Sequence, residues 1–160
     1  MSAQASPLPI DVWREAAQRA DVIEAMHRFY LEVTRRVAAH GATCWNRGAC
    51  CRFGQYGHRL YVTSLEVAFY LSGGCEADPA DTDACPHARD GRCHVRDLRP
   101  MGCRVFYCDP GAQEWQGPLT EELLAKLRRL HEQLDVPYAY VDWIAALQSL
   151  RDSPPMRIDR

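Results

Sequence analysis

Apolar residues recur every three to four positions from Ile10 to about His40. Val22, Met26, Phe29, Val33 and Val37 form one stripe, widened by Ile23 and Tyr30. The pattern predicts an amphipathic helix over 10–40, closed by Gly41 as a C-cap, with Arg35 and Arg36 in the last turns, where cations favour the helix dipole. Residues 42–58, broken by Gly48, Gly54 and Gly57, read as a loop, and Leu60 to Val62 as a short strand. Thr63-Ser64-Leu65-Glu66 matches a capping box opening a helix to about Leu71, stopped by Gly73-Gly74. Residues 75–92 are polar and rich in turn formers, and 93–108 read as turns and short extended pieces. Pro110, Gly111 and Gly117-Pro118 are expected to end that stretch. A helix then follows over about Thr120–Leu134, with Leu123, Leu127, Leu130 and Leu134 on one face. A last helix over about Tyr138–Leu150 buries Ile144, Leu147 and Leu150, and Pro154-Pro155 closes the structured part.

These elements predict a mainly α fold: a helical shell around an irregular, cysteine-rich, metal-binding core with at most short strands. No repeat or linker divides the chain. One domain over 1–160 is expected, with an N-terminal helix (10–40), a cysteine region (42–110) and a C-terminal helical pair (119–151).

Composition changes this picture in one respect. Hydrophobic residues at 47% and charged residues at 25% are the ordinary globular mixture, which excludes a disordered or collagenous chain. No apolar run is long enough for a membrane span, and a net charge of −2 argues against a general nucleic-acid binder. Yet there are eight cysteines, Cys44, Cys50, Cys51, Cys75, Cys85, Cys93, Cys103 and Cys108, all inside 65 residues, of which they make up about 12%. Met1 to Ile10 lacks the basic start and apolar run of a secretory signal, so a reducing cytoplasm is the expected compartment, where disulfides do not persist. Thiol catalysis needs one activated cysteine beside a base, not a cluster. Metal or cluster ligation, which gathers thiolates because each soft metal takes several, is the favoured reading.

The spacing is Cys44-x5-Cys50-Cys51, then Cys85-x7-Cys93-x9-Cys103-x4-Cys108. It contains no C-x-x-C pair and matches neither common ferredoxin run, so it indicates a metal site without naming the metal. Cys75, beside Gly73-Gly74, reads as a small semi-buried thiol. The other seven exceed what one 4Fe–4S cluster takes and equal what two zinc ions sharing a thiolate would take. Residues 85–108 also carry five arginines (Arg89, Arg92, Arg96, Arg99, Arg104) against Asp90 and Asp97. That local excess suits the negative charge of a thiolate site, and Arg99 and Arg104 are the first candidates to support it from behind the ligands. His58, His87 and His94 are reserve ligands, while His27, His40 and His131 lie on helices and have no such claim. Trp45, Phe53, Tyr56, Tyr61, Phe106 and Tyr107 flank the cysteines as a local core or a shield from water.

Gly48-Ala49-Cys50-Cys51, Cys85-Pro86, and the run from Cys93 through Arg99-Pro100-Met101-Gly102-Cys103-Arg104-Val105-Phe106-Tyr107-Cys108 resemble the YkgJ-type cysteine-cluster family. That family is described as a zinc- or iron-chelating domain and is often called an Fe–S-cluster protein. The resemblance covers roughly 42–110, and Arg47 stands where the family commonly has a further cysteine. It implies a bound iron–sulfur cluster, with zinc as the alternative, held by Cys44, Cys50, Cys51, Cys85, Cys93, Cys103 and Cys108. A flagellin lysine N-methylase carries a similar cysteine domain, but no glycine-rich nucleotide-binding signature marks this chain as a complete methyltransferase. The expected role is redox, or accessory to an enzyme that modifies protein or RNA, with a protein partner and neither membrane nor nucleic acid. The alternatives are a structural zinc module that binds a macromolecule and an iron-dependent enzyme with a partly open site; the sequence leaves open whether the chain is an enzyme.

Overall fold

The computed structural model describes residues 7–41, 59–74, 84–89, 92–106 and 110–154. The order is α1 (Ile10–Ala17), α2 (Ala20–Ala38), β1 (Tyr61–Thr63), α3 (Ser64–Ser72), β2 (Ala88–Arg89), β3 (Arg92–Cys93), a 3-10 turn (Arg96–Leu98), α4 (Met101–Val105), a second 3-10 turn (Pro110–Ala112), α5 (Gln113–Leu134), β4 (Tyr140–Asp142) and α6 (Trp143–Asp152). The fold is mainly helical, and its strands form two antiparallel pairs, β1 with β4 and β2 with β3. The described core is built mostly from helix side chains. Cys44, Cys50, Cys51, Cys75 and Cys108 lie outside the described residues, and with them a large part of the expected cysteine-rich middle.

Three boundaries differ from the sequence expectation. The first helix is two. The chain leaves α1 at Gln18 and Arg19 is extended, at φ −89° and ψ 121°. From there the Arg19 guanidinium donates to the Leu134 carbonyl at 2.8 Å and pairs with Asp21 at 2.7 Å, satisfying the open C-terminus of α5. Helix α5 begins at Gln113, seven residues before the expected start, and runs through Pro118. Proline there forfeits one intrahelical bond, but two residues around it anchor the turn. Leu119 is buried, and Trp115 stacks on His40 with centroids 4.3 Å apart. The third difference is at Tyr138, where a helix was expected and Tyr140–Asp142 is instead a strand. It pairs Tyr61 with Asp142, Val62 with Val141 and Thr63 with Tyr140. Asp142 then caps α6, its carboxylate accepting the Ala145 amide at 3.0 Å.

Helix α3 lies at the centre. Every residue from Ser64 to Tyr70 is buried, as expected of a helix covered on all sides. Leu65, Ala68 and Phe69 join Met26, Phe29, Val33, Leu123 and Leu127 in one cluster. Val67 and Tyr70 join Trp13, Val62, Trp143 and Leu147 in the other. The capping box is present as read from the sequence, the Glu66 carboxylate accepting the Thr63 amide at 2.7 Å, and the helix ends at Gly73 with Gly74 left-handed at φ +72°. His131, on α5, supplies a further cap: its Nε2 accepts the Leu65 amide at 3.2 Å while its Nδ1–H donates to the Leu127 carbonyl at 2.7 Å. That arrangement requires a neutral ring, and burial holds the ring's pKa below its ordinary value.

Candidate metal centre

Of the seven expected ligands, Cys85, Cys93 and Cys103 fall among the described residues, and each is partly buried. The sequence between the first two turns back on itself at Pro86-His87. This turn is fixed by the Ala88 amide, which donates to the Cys85 carbonyl at 3.1 Å. In the β2–β3 ladder Ala88 pairs with Cys93, and the His94 amide donates to the His87 carbonyl at 3.0 Å. Cys85 and Cys93, eight residues apart in sequence, are thereby brought to one end of a short hairpin, close enough for the charge of one to act on the other.

Burial pushes the Cys93 thiol above its ordinary pKa, and proximity to Cys85 adds to this. The Val95 amide and the charges of Arg99 and Arg96 oppose the shift. Arg99 and Arg96 thus partly offset the rise that burial causes, which leaves the Cys93 thiol above its ordinary pKa. The hairpin is tied to the core by His87. This imidazole is only 5% exposed, and its Nε2 lies 2.7 Å from the Tyr70 hydroxyl. With that nitrogen engaged, His87 serves as a tether between Cys85 and α3. His94 is exposed, with its Nε2 3.3 Å from the Arg89 carbonyl, and His58 lies outside the described residues.

Cys103 sits on α4, a helix of five residues where the sequence suggested only turns. So short a helix needs outside support, and Glu66 gives it. Besides capping its own helix, the Glu66 carboxylate accepts the Met101 amide at 2.6 Å, at the first residue of α4. One buried side chain thus caps two helices. Burial raises its pKa, against the pull of the two amides and of Arg104. Gly102 leaves room for the Leu60 side chain, since a Cβ there would lie 2.6 Å from Leu60 Cδ1.

Arg104 holds the other side of α4. Its Nε donates to the Arg99 carbonyl at 2.7 Å and its Nη2 to the Asp97 carbonyl at 2.8 Å, locking the 3-10 turn onto the cysteine helix. Its guanidinium carbon lies 3.9 Å from the centroid of the Tyr30 ring, within cation–π range. Burial lowers the Arg104 pKa, an effect resisted by the neighbouring Tyr30 and Cys103. Arg99 in turn donates through Nε to the Arg96 carbonyl at 3.1 Å. The hydrogen bonds that fix Arg99 and Arg104 thus go to backbone carbonyls. Tyr30, from α2, completes this corner. Its hydroxyl is buried and has no hydrogen-bond partner among the described residues, and burial, with Glu66 nearby, holds its pKa well above the ordinary value.

Among the described residues, no three Cys, His, Asp or Glu side chains converge closely enough to hold a metal ion. What they present is two thiols at the hairpin, Cys85 and Cys93, and a third, Cys103, on α4, with Arg96 and Arg99 near Cys93 and Arg104 next to Cys103. Glu66, Tyr30 and Tyr70 were not among the sequence candidates for this region. The capping box, which the structure bears out, identified Glu66 at the start of its own helix, and the apolar stripe included Tyr30, but neither signal pointed to the cysteine segments. No helix among the described residues is long and apolar enough to cross a membrane. No protein-family model, curated protein or solved structure matches the chain.

Proposed function

We propose that this chain is a cysteine-cluster metalloprotein that binds an iron–sulfur cluster and works in the cytoplasm in a redox role, or as accessory to an enzyme that modifies protein or RNA. The observation that carries the reading is the β2–β3 hairpin. It brings Cys85 near Cys93, with Arg96 and Arg99 close enough to offset part of the rise that burial gives the Cys93 thiol. Thiols so placed, partly buried and offset by cations, have the chemistry of soft-metal ligands. Cys103, anchored through α4, and Cys44, Cys50, Cys51 and Cys108 supply the remaining sulfur. The resemblance of Arg99-Pro100-x-x-Cys103-Arg104-x-Phe106-x-Cys108 to the YkgJ-type pattern points the same way. A bound cluster would supply one-electron transfer, and a protein partner would exchange the electron.

The test is to measure iron, zinc and acid-labile sulfide per chain in protein purified without oxygen, with the visible spectrum. Iron with matching sulfide and a brown colour is the expected result. Stoichiometric zinc without sulfide, in a colourless protein, would overturn the redox reading in favour of a zinc-binding module that engages a macromolecular partner.

A further inference from the structure

Most large apolar side chains among the described residues are buried, and three of those that are not meet at one corner. Tyr61 is 45% exposed, Tyr138 38% and Tyr140 45%. The β1–β4 register accounts for the row. Val62 turns inward and is fully buried, so the pleat sends Tyr61 and Tyr140 to the opposite face, where their rings lie 5.5 Å apart. Ala139 prolongs the ladder, its carbonyl accepting the Ser64 amide at 3.1 Å, and Tyr138 carries the row one step further. The Tyr138 ring is held in place, with His131 edge-on at 5.0 Å and the Arg128 guanidinium carbon 5.3 Å from its centroid. Scattered exposed tyrosines need no explanation, but an ordered row on one sheet face marks a contact surface.

The dimensions and charges of the row narrow the occupant. Two residues of extended chain cover about 7 Å, which with the 5.5 Å between Tyr61 and Tyr140 gives a row of about 12 Å. That is the length of about four residues of polyproline II, which rises about 3.1 Å per residue and leaves its carbonyls free. Proline rings pack flat on tyrosine, and tyrosine hydroxyls donate to those carbonyls. At the Tyr138 end the row runs into a cleft of about 570 Å³, bordered by Arg128, Glu132, Asp135 and Pro137. Glu132 and Asp135 are both exposed and outnumber Arg128, so the cleft favours a cation and repels a phosphate. Arg59, at the opposite end, is matched by Asp142 at 3.2 Å. A base-stacking platform for nucleic acid needs the reverse balance of charge. We propose that Tyr61, Tyr140 and Tyr138 seat a proline-rich segment of a partner protein, with an arginine of that segment reaching Glu132 and Asp135. The assignment does not depend on the metal centre.

The experiment is fluorescence anisotropy of a labelled peptide, Arg-Pro-Pro-Leu-Pro-Pro-Arg, titrated with the full chain; an arginine at each end serves either direction of binding. Saturable binding is expected, weakened about tenfold or more by Tyr140→Ala and by Tyr138→Ala. The paired reversal Glu132→Lys with Asp135→Lys should weaken it as well, and so should glutamate in place of both peptide arginines. No saturation at millimolar concentrations, or binding indifferent to both tyrosine variants, would overturn the proposal. Should the alanine variants fail to fold, amide shifts in the unaltered chain decide. The peptide is expected to move the amides of β1 and of residues 136–142, and shifts confined to other elements count against it. A labelled uridine heptanucleotide is titrated alongside. If the chain binds that RNA through the same tyrosines and leaves the peptide free, the face belongs to nucleic acid and the proposal fails.

Discussion

Glu66 and Met101 are 35 residues apart, and the carboxylate of one accepts the amide of the other at 2.6 Å in a buried setting. The second Glu66 oxygen takes the Thr63 amide at 2.7 Å. A side chain that belongs to the core helix therefore starts the helix carrying Cys103, and the position of that thiol is inherited from the scaffold.

Replacing Glu66 should expose the cost of this arrangement. Glu66→Ala leaves two buried amides without acceptors and opens a cavity, so a loss of about 2–5 kcal/mol is expected. Glu66→Gln keeps the shape but turns one acceptor into a donor facing an amide, and should lose about half as much. Urea unfolding of the full chain measures both. A loss below about 1 kcal/mol for Glu66→Ala would mean that neither amide depends on this carboxylate.

The sequence foretold half of what Glu66 does, and the reason is general. The capping box is a local pattern, complete within Thr63–Glu66, so it is readable. The bond to Met101 depends on how α3 and α4 pack, which no local pattern encodes. The same division runs through the fold. The stripe from Val22 to Val37 located α2 because its period reports its own buried face. Its continuation into Trp13, Ala16 and Ala17 hid the break at Gln18-Arg19, since that break exists to let Arg19 reach Leu134. Gly117-Pro118 suggested an end where α5 continues, because the packing of Trp115 and Leu119 outweighs local preference. In the candidate site the cysteines and arginines were legible by type and count. Tyr30 and Tyr70 were not, since each reads as one more core aromatic until its hydroxyl is placed.

His131 makes folding depend on pH. Its neutral ring accepts the Leu65 amide, and burial lowers its folded pKa below the ordinary 6.5. The unfolded chain therefore binds the proton more readily. The contribution of the neutral ring is complete above about pH 6.5 and is lost as pH falls through the lowered folded value. The slope in that window is at most about 1.4 kcal/mol per pH unit. His87 also has a pKa lowered by burial, so the unaltered chain alone cannot separate the two. Subtracting the stability curve of His131→Leu, in which His87 is retained, isolates His131. The variant should be about 1–3 kcal/mol less stable at neutral pH, and the gap should narrow in acid. A gap that stays constant with pH would contradict the neutral-cap assignment.

Neighbouring positions on α5 should behave very differently. Leu127 is wholly buried between α2 and α3, and Leu127→Ala should cost about 2–5 kcal/mol through lost contacts and a residual cavity. Lys126 pairs with Glu32 across to α2 but is about one-third exposed, at 37% against 30% for its partner. Solvent screening of such a pair holds the effect of Lys126→Ala to less than about 1 kcal/mol, shrinking further in salt. Denaturant midpoints in low and high salt distinguish the two. A large, salt-sensitive loss at Lys126 would mean that ionic contacts hold α2 to α5, with the apolar seam secondary.

The hairpin that brings Cys85 near Cys93 is a ladder of two residue pairs, so its order should depend on the Tyr70–His87 contact. That contact, at 2.7 Å, links a central helix to the turn two residues beyond Cys85. Tyr70→Phe keeps the ring, including its edge-on packing against Trp143 at 4.9 Å, and removes only the hydroxyl. A global loss of about 1 kcal/mol is expected. The local effect should be larger in observable terms, because a two-stranded ladder this short is marginal alone. The amides of Ala88 and His94, which donate to the Cys85 and His87 carbonyls, report on it directly. Their hydrogen exchange should accelerate by about tenfold or more in Tyr70→Phe, while the α3 amides accelerate only by the amount that global stability allows. If Ala88 and His94 keep their protection, the hairpin stands without its tether, and the thiol pair is then set by the ladder and the Pro86-His87 turn rather than by the core.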